Sequence, residues 1–289
     1  MLPRLRYVSD WRSLAFLAIA VFLLLFPLLH PLPLAVSCLW IPISSVFCFC
    51  IGVVAHNHMH LPIFHQNWAN QVLNVAIALC IGRSASQIVV PHNYNHHVHH
   101  GSERDWSCPQ LAGTGPGWLR LGRYVIRNLT DIPQRSKRAD TPTLPPELQQ
   151  SLWRERLALW LFLGGLVAIA GAKVLLFAIV PWATGILCLL SINLLQHDGC
   201  NPRSRYNLAR NFTSLPLNWF FFNNGYHTIH HLRPSLHWSH LPTAHQRIVA
   251  PHIACHLNVR SIGCFLIDRY FTSTQGVLCE LPHELPREN

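Results

Sequence analysis

Four stretches of the chain carry no charged side chain and are dominated by apolar residues: 13–29, 34–55, 157–172 and 174–196. Each approaches the roughly 20 residues that an α-helix needs to cross about 30 Å of hydrocarbon. The first two are parted only by His30-Pro31-Leu32-Pro33, and the last two only by Lys173 and its small neighbours. Each pair therefore predicts a transmembrane helical hairpin with a very short turn. An even number of crossings puts 1–12, 56–156 and 197–289 on one side of the bilayer. All but one of the 22 Lys and Arg fall on that side, the exception being Lys173 in a short turn. By the positive-inside rule the large side is cytoplasmic. The expected fold is an all-α integral membrane protein in which 1–289 form a single membrane domain: two transmembrane helical hairpins under a cytoplasmic helical cap. A fifth apolar stretch, 72–90, holds Arg83, Ser84, Ser86 and Gln87. A charge at mid-bilayer is costly, so this stretch is expected to be interfacial or re-entrant. The Pro-rich 141–147 connects to the second hairpin.

Composition agrees with this pattern and excludes two alternatives. Charged residues make up 12% of the 289, against about 25% in an ordinary soluble domain. With 10 Trp, 14 Phe and 6 Tyr the chain is also far too apolar to remain disordered. The ten cysteines are scattered, without a Cys-x-x-Cys pair, and read as reduced packing residues.

Twenty histidines outnumber the 12 acidic residues, which directs attention to imidazole chemistry. They fall in clusters. His56 and His60 stand four apart where the second apolar stretch ends, on one face of any continuing helix. In His92-Asn93-Tyr94-Asn95-His96-His97-Val98-His99-His100, two triplets have helical spacing: His92, His96 and His97, or His96, His99 and His100. His227, His230 and His231 form a further triplet, and His197 ends the last apolar stretch with Asn193 one turn before it. A lone histidine pair is most often structural, but spaced clusters separated by apolar runs suit metal ligation. Nitrogen-rich donors accept Fe, Zn, Cu or Ni, so ligand type alone does not select the metal. A metal-storage tract would be compositionally continuous rather than divided into boxes.

These boxes resemble those of the membrane fatty acid desaturase superfamily: HNHMH at 56–60, HNYNHH at 92–97 and NNGYHTIHH at 223–231. Asp105-Trp106, Asn211-Phe212, His237-Trp238 and Leu241-Pro242 supply similar context, and the likeness spans most of the chain up to residue 242. The resemblance implies two iron ions and O2 as co-substrate. Its ligands would be His56 and His60, then His92, His96 and His97, then His197, and finally His227, His230 and His231. Asn193 would hold a water near one iron, and Asp105 stands at the family's distance beyond the second box, which favours His92, His96 and His97 over the rival triplet. His58, His99 and His100 would lie behind or outside the ligand set. Asn57 stands where many relatives carry an acidic residue.

The implied activity is O2-dependent desaturation of a lipid acyl chain drawn from the bilayer. A lipid or carotenoid hydroxylase or ketolase would use the same cage. A membrane metal carrier fits less well, because the clusters lie outside the apolar spans. Nothing points to nucleic acid. The chain has no His-Pro-Gly-Gly signature of an appended haem domain, so electrons are expected from a separate ferredoxin-like or haem protein. Its expected docking surface is the basic run Arg120, Arg123, Arg127, Arg135, Lys137 and Arg138.

Overall fold

A computed structural model describes residues 3–135 and 144–272. The long helices are α1 (Trp11–Leu29), α2 (Leu34–His60), α3 (Asn67–Ile81), α5 (Gly117–Arg135), α6 (Pro146–Ala170) and α7 (Val180–His197). Between α3 and α5 runs a helical stretch of changing pitch: a 3-10 turn at Ala85–Ile88, a π-helix at Val89–His96, and the short α4 (His97–His99). The C-terminal third is built from α8 (Leu215–Phe220), α9 (His227–Leu232), α10 (Leu241–Ala244) and α11 (Ile262–Ile267). Two short parallel strands, β1 (Asn211–Phe212) and β2 (Asn258–Val259), pair with Asn211 opposite Asn258. Lys137, Arg138 and positions 141–143 of the Pro-rich connector lie outside the described residues.

Among the described residues three helical segments are long and apolar enough to cross a membrane: Val8–Leu29, Leu34–His60 and Leu175–His197. The pair Asn67–Ile81 and Ala85–His99, bent by 87°, raises the number to four if it is one broken span. The stretch 72–90, expected to be interfacial or re-entrant, contains this bend. The uncharged run expected at 157–172 forms the second half of α6. Its first half carries Glu147, Arg154, Glu155 and Arg156, and with these charges α6 is long enough but not apolar enough to join the three.

The core forms where α2 and α7 lie side by side. A Cβ on Gly185 would come within 2.7 Å of Cys48 Sγ, and one on Gly52 within 2.3 Å of Leu189. Small residues at these two places let the backbones approach, the usual device where lipid supplies no hydrophobic drive between helices. The buried ends of both helices, His56 and His197, are thereby delivered to one level.

Polar ties close the rest. Buried Asp10 accepts bonds from His237 Nε2 (3.1 Å), Trp238 Nε1 (3.0 Å) and Ser13 Oγ (3.2 Å), pinning the start of α1 to the segment after α9. Buried Glu155 of α6 accepts the Ser86 N–H at 2.9 Å and the hydroxyls of Ser84 and Ser86, fixing the bend after α3. Asp198 accepts Arg120 Nη2 (2.6 Å) and Tyr270 Oη (2.8 Å), joining α5 and the C-terminal segment to the end of α7. The expected docking arginines are partly consumed here: besides Arg120, Arg123 donates to the Ala112 and Thr114 carbonyls and Arg127 to that of Leu111.

Candidate metal centre

Nine histidines converge into two adjoining groups: His56, His60, His92, His97 and His230 in one, and His96, His197, His227 and His231 in the other. Within each group, one nitrogen from every ring lies within 4.8 Å of all the others. These are the nine positions singled out from the sequence. His99 belongs to neither group.

Local backbone geometry explains the sorting. In an α-helix, at about 100° per residue, positions i and i+5 diverge by about 140°. The π-helical turn Val89–His96 holds more residues per turn, so His92 and His97 share a side and their Nε2 atoms stand 3.1 Å apart. His96 is released to the second group. His227 and His231, one turn apart on α9, bring their Nε2 atoms to 3.2 Å, while His230 faces the first group at 3.2 Å from His97 Nε2. The adjacent pairs His96-His97 and His230-His231 each send one ring to each group, which keeps the two groups next to one another.

The contacts are not an ordinary hydrogen-bond network. His197 Nε2 lies 3.2 Å from His96 Nε2, 3.0 Å from His227 Nε2 and 3.3 Å from His231 Nε2. A neutral imidazole has one N–H, and one proton cannot serve three such contacts. Nitrogens about 2.1 Å from a common ion would stand about 3.0 Å apart at right angles and about 3.4 Å apart in a tetrahedron. The observed spacing matches that range. In the first group His56 Nε2 and His92 Nε2 are 2.8 Å apart, and buried His60 Nε2 has no hydrogen-bond partner among the described residues. The donor set fits a metal ion at each group, with imidazole nitrogen as its ligand type. Burial first, then repulsion from neighbouring rings, holds His227, His230 and His231 well below the usual imidazole range. At neutral pH they keep their lone pairs free.

Outer contacts set ring orientation. Asp105, fully buried, accepts His96 Nδ1–H at 3.0 Å and 3.1 Å, and is itself held by the N–H groups of Gly101 (3.0 Å) and Ser107 (2.9 Å). Burial pushes its carboxyl up, but the bonds from His96 and the backbone outweigh this and leave it below the usual range. Asn57 supplies through its carbonyl the contact an acid would give, 3.1 Å from His56 Nδ1. His100 Nε2 stands 3.0 Å from His197 Nδ1, a contact that spacing alone had not indicated. Buried His58 serves the chain instead, its Nδ1 accepting the Ile63 N–H at 3.1 Å. The Asn193 amide donates to Tyr124 Oη, whose hydroxyl donates to the Ser107 carbonyl at 2.7 Å.

A cavity of about 200 Å³ reaches His56, His92 and His227 from the α7 side. Asn193 and Gln196 line it near the histidines, and Ile186, Leu189 and Leu190 line it farther along α7.

In a comparison with known protein families, the family model described as fatty acid desaturase matches residues 29–259. No curated protein matches the chain.

Proposed function

Since this chain belongs to the fatty acid desaturase family, we propose that it is an O2-dependent di-iron desaturase that places a double bond in a lipid acyl chain. The observation that carries this reading is the convergence of nine imidazoles on two adjoining points, with no carboxylate or thiolate among them. His56, His60, His92, His97 and His230 would hold one iron, and His96, His197, His227 and His231 the other. The pair would supply oxidising power toward unactivated C–H bonds, which no amino-acid side chain has. In the overall reaction two hydrogens leave adjacent carbons. Two electrons and two protons arrive from outside, and O2 leaves as two waters.

The chain's own residues do the positioning. Asp105 holds the Nδ1 proton of His96, so that Nε2 turns inward. Ile186, Leu189 and Leu190 give an alkyl chain an apolar path to the histidines and displace water from it. We place the four crossings at 13–29, 34–55, 157–172 and 174–196, with the histidines on the cytoplasmic side, where a separate ferredoxin-like or haem protein delivers electrons.

The test combines metal and product. Anaerobically purified protein should contain two irons per chain. Mass spectrometry of lipids from cells with and without the chain should show products lacking two hydrogens. Products carrying one added oxygen would replace desaturation by hydroxylation, and full activity with stoichiometric zinc would overturn the di-iron assignment.

A further inference from the structure

Arg83 is the cation in the apolar stretch 72–90, and it belongs to neither histidine group. It follows Gly82, the left-handed end of α3 (φ +68°), whose backbone packs flat on the Trp182 indole: a Cβ there would lie 2.3 Å from the ring. Trp182 is one turn before Ile186 on α7, so Arg83 stands at the Ile186 end of the cavity that reaches the histidines, and it lines that cavity together with Gln87. From Ile186 to Gln196 the cavity follows about 15 Å of helix. Among the described residues Arg83 makes no hydrogen bond or ion pair. The carboxylate adjacent in the fold, Glu155, is taken by Ser84 and Ser86. A guanidinium without an acidic partner in an apolar setting is costly, and such a group marks a ligand site more often than a packing accident.

We infer that this cavity takes a medium-length alkyl carboxylate, with its carboxylate on the Arg83 guanidinium and its far carbons beside His56, His92 and His227. The planar fork of guanidinium matches a carboxylate with two parallel bonds, and the Gln87 amide adjoins it. The apolar wall of Ile186, Leu189 and Leu190 suits the alkyl segment between. That this occupant is a substrate rests on the desaturase reading; that it binds does not. One end fixed by charge sets how many carbons separate the acid group from the histidines, so the same contact would set the position of oxidation.

The experiment is equilibrium binding of radiolabelled dodecanoate to the purified full chain in phosphatidylcholine nanodiscs, corrected against empty discs. We expect saturable binding, one per chain, displaced by dodecanoate but not by dodecan-1-ol or dodecyltrimethylammonium. Arg83→Gln should weaken it about tenfold or more, and Arg83→Lys, which keeps the charge and loses the fork, should fall between. Equal displacement by dodecan-1-ol, or an unchanged affinity in folded Arg83→Gln, would overturn the inference. If Arg83→Gln fails to insert, the three-way competition on the wild-type chain decides alone. Binding needs neither oxygen nor electrons. Intact binding with no oxidised product would therefore overturn only the enzymatic reading. Desaturated neutral lipid with no dodecanoate binding would overturn only the carboxylate site.

Discussion

Replacing Asp105 by Asn isolates the contribution of one carboxylate to the proposed centre at nearly constant volume. Its two oxygens face different backbone donors: Gly101 N–H reaches Oδ2 at 3.0 Å and Ser107 N–H reaches Oδ1 at 2.9 Å, while His96 Nδ1 sits between both. Whichever way an amide is seated, its NH2 must meet a backbone N–H. One bond is lost and two donors are opposed at a site with no exposure to solvent. A buried donor left unsatisfied costs about 1–3 kcal/mol. The His96 proton loses its charged acceptor as well, and outer partners of this kind change metal affinity by about 10- to 100-fold. At about 1.4 kcal/mol per factor of ten, the two estimates overlap. The assay is a chelator titration of iron-loaded protein, following retained iron, with circular dichroism as the control for folding. Asp105→Asn should surrender iron from the His96 group at about 10- to 100-fold lower chelator concentration. If a folded variant retains both irons as the wild type does, His96 is not oriented by Asp105 in the way the geometry implies.

His92→Ala should lose iron from the first group and abolish turnover. His100→Ala, which removes a contact to His197 Nδ1 but no member of either group, should keep both irons and part of the activity; the opposite ranking in metal analysis would mean that the other triplet supplies the ligands. Metal-free protein should also lose stability on acidification. His227, His230 and His231 have folded values depressed well below 6.5, so the unfolded chain binds more protons as pH falls through that value. Their neutral forms therefore contribute stability above pH 6.5 that declines below it. A thermal melting midpoint that stays flat from pH 7.5 to 5.5 would contradict their burial as neutral rings.

The apolar runs that became α1, α2 and α7 were legible because residues of one chemical type recur over a whole helix, a signal that survives any detail of packing. The histidine boxes were legible for a related reason: imidazoles at i, i+3 and i+4 spacing mark a shared face whatever the surroundings. What pattern could not supply was the allocation of rings to the two groups, because that depends on pitch. Read as α-helix, His92 and His96 belong together; in the π-helical turn it is His92 and His97 that meet. Pro91, which has no N–H to give a preceding carbonyl, sits inside this turn, and Asn95 bonds to Arg104 and Trp106 across the following loop. The same limit hid the tie of Asp10 to His237, more than two hundred positions apart, and the use of Arg120, Arg123 and Arg127 on nearby carbonyls and Asp198. A run of basic residues reads as a surface for partners until the loop it holds is seen. Arg83 is the reverse case: the bend after α3 was foreseeable from a charge inside an apolar stretch, but only the fold shows that this charge is left facing a cavity that ends at the histidines.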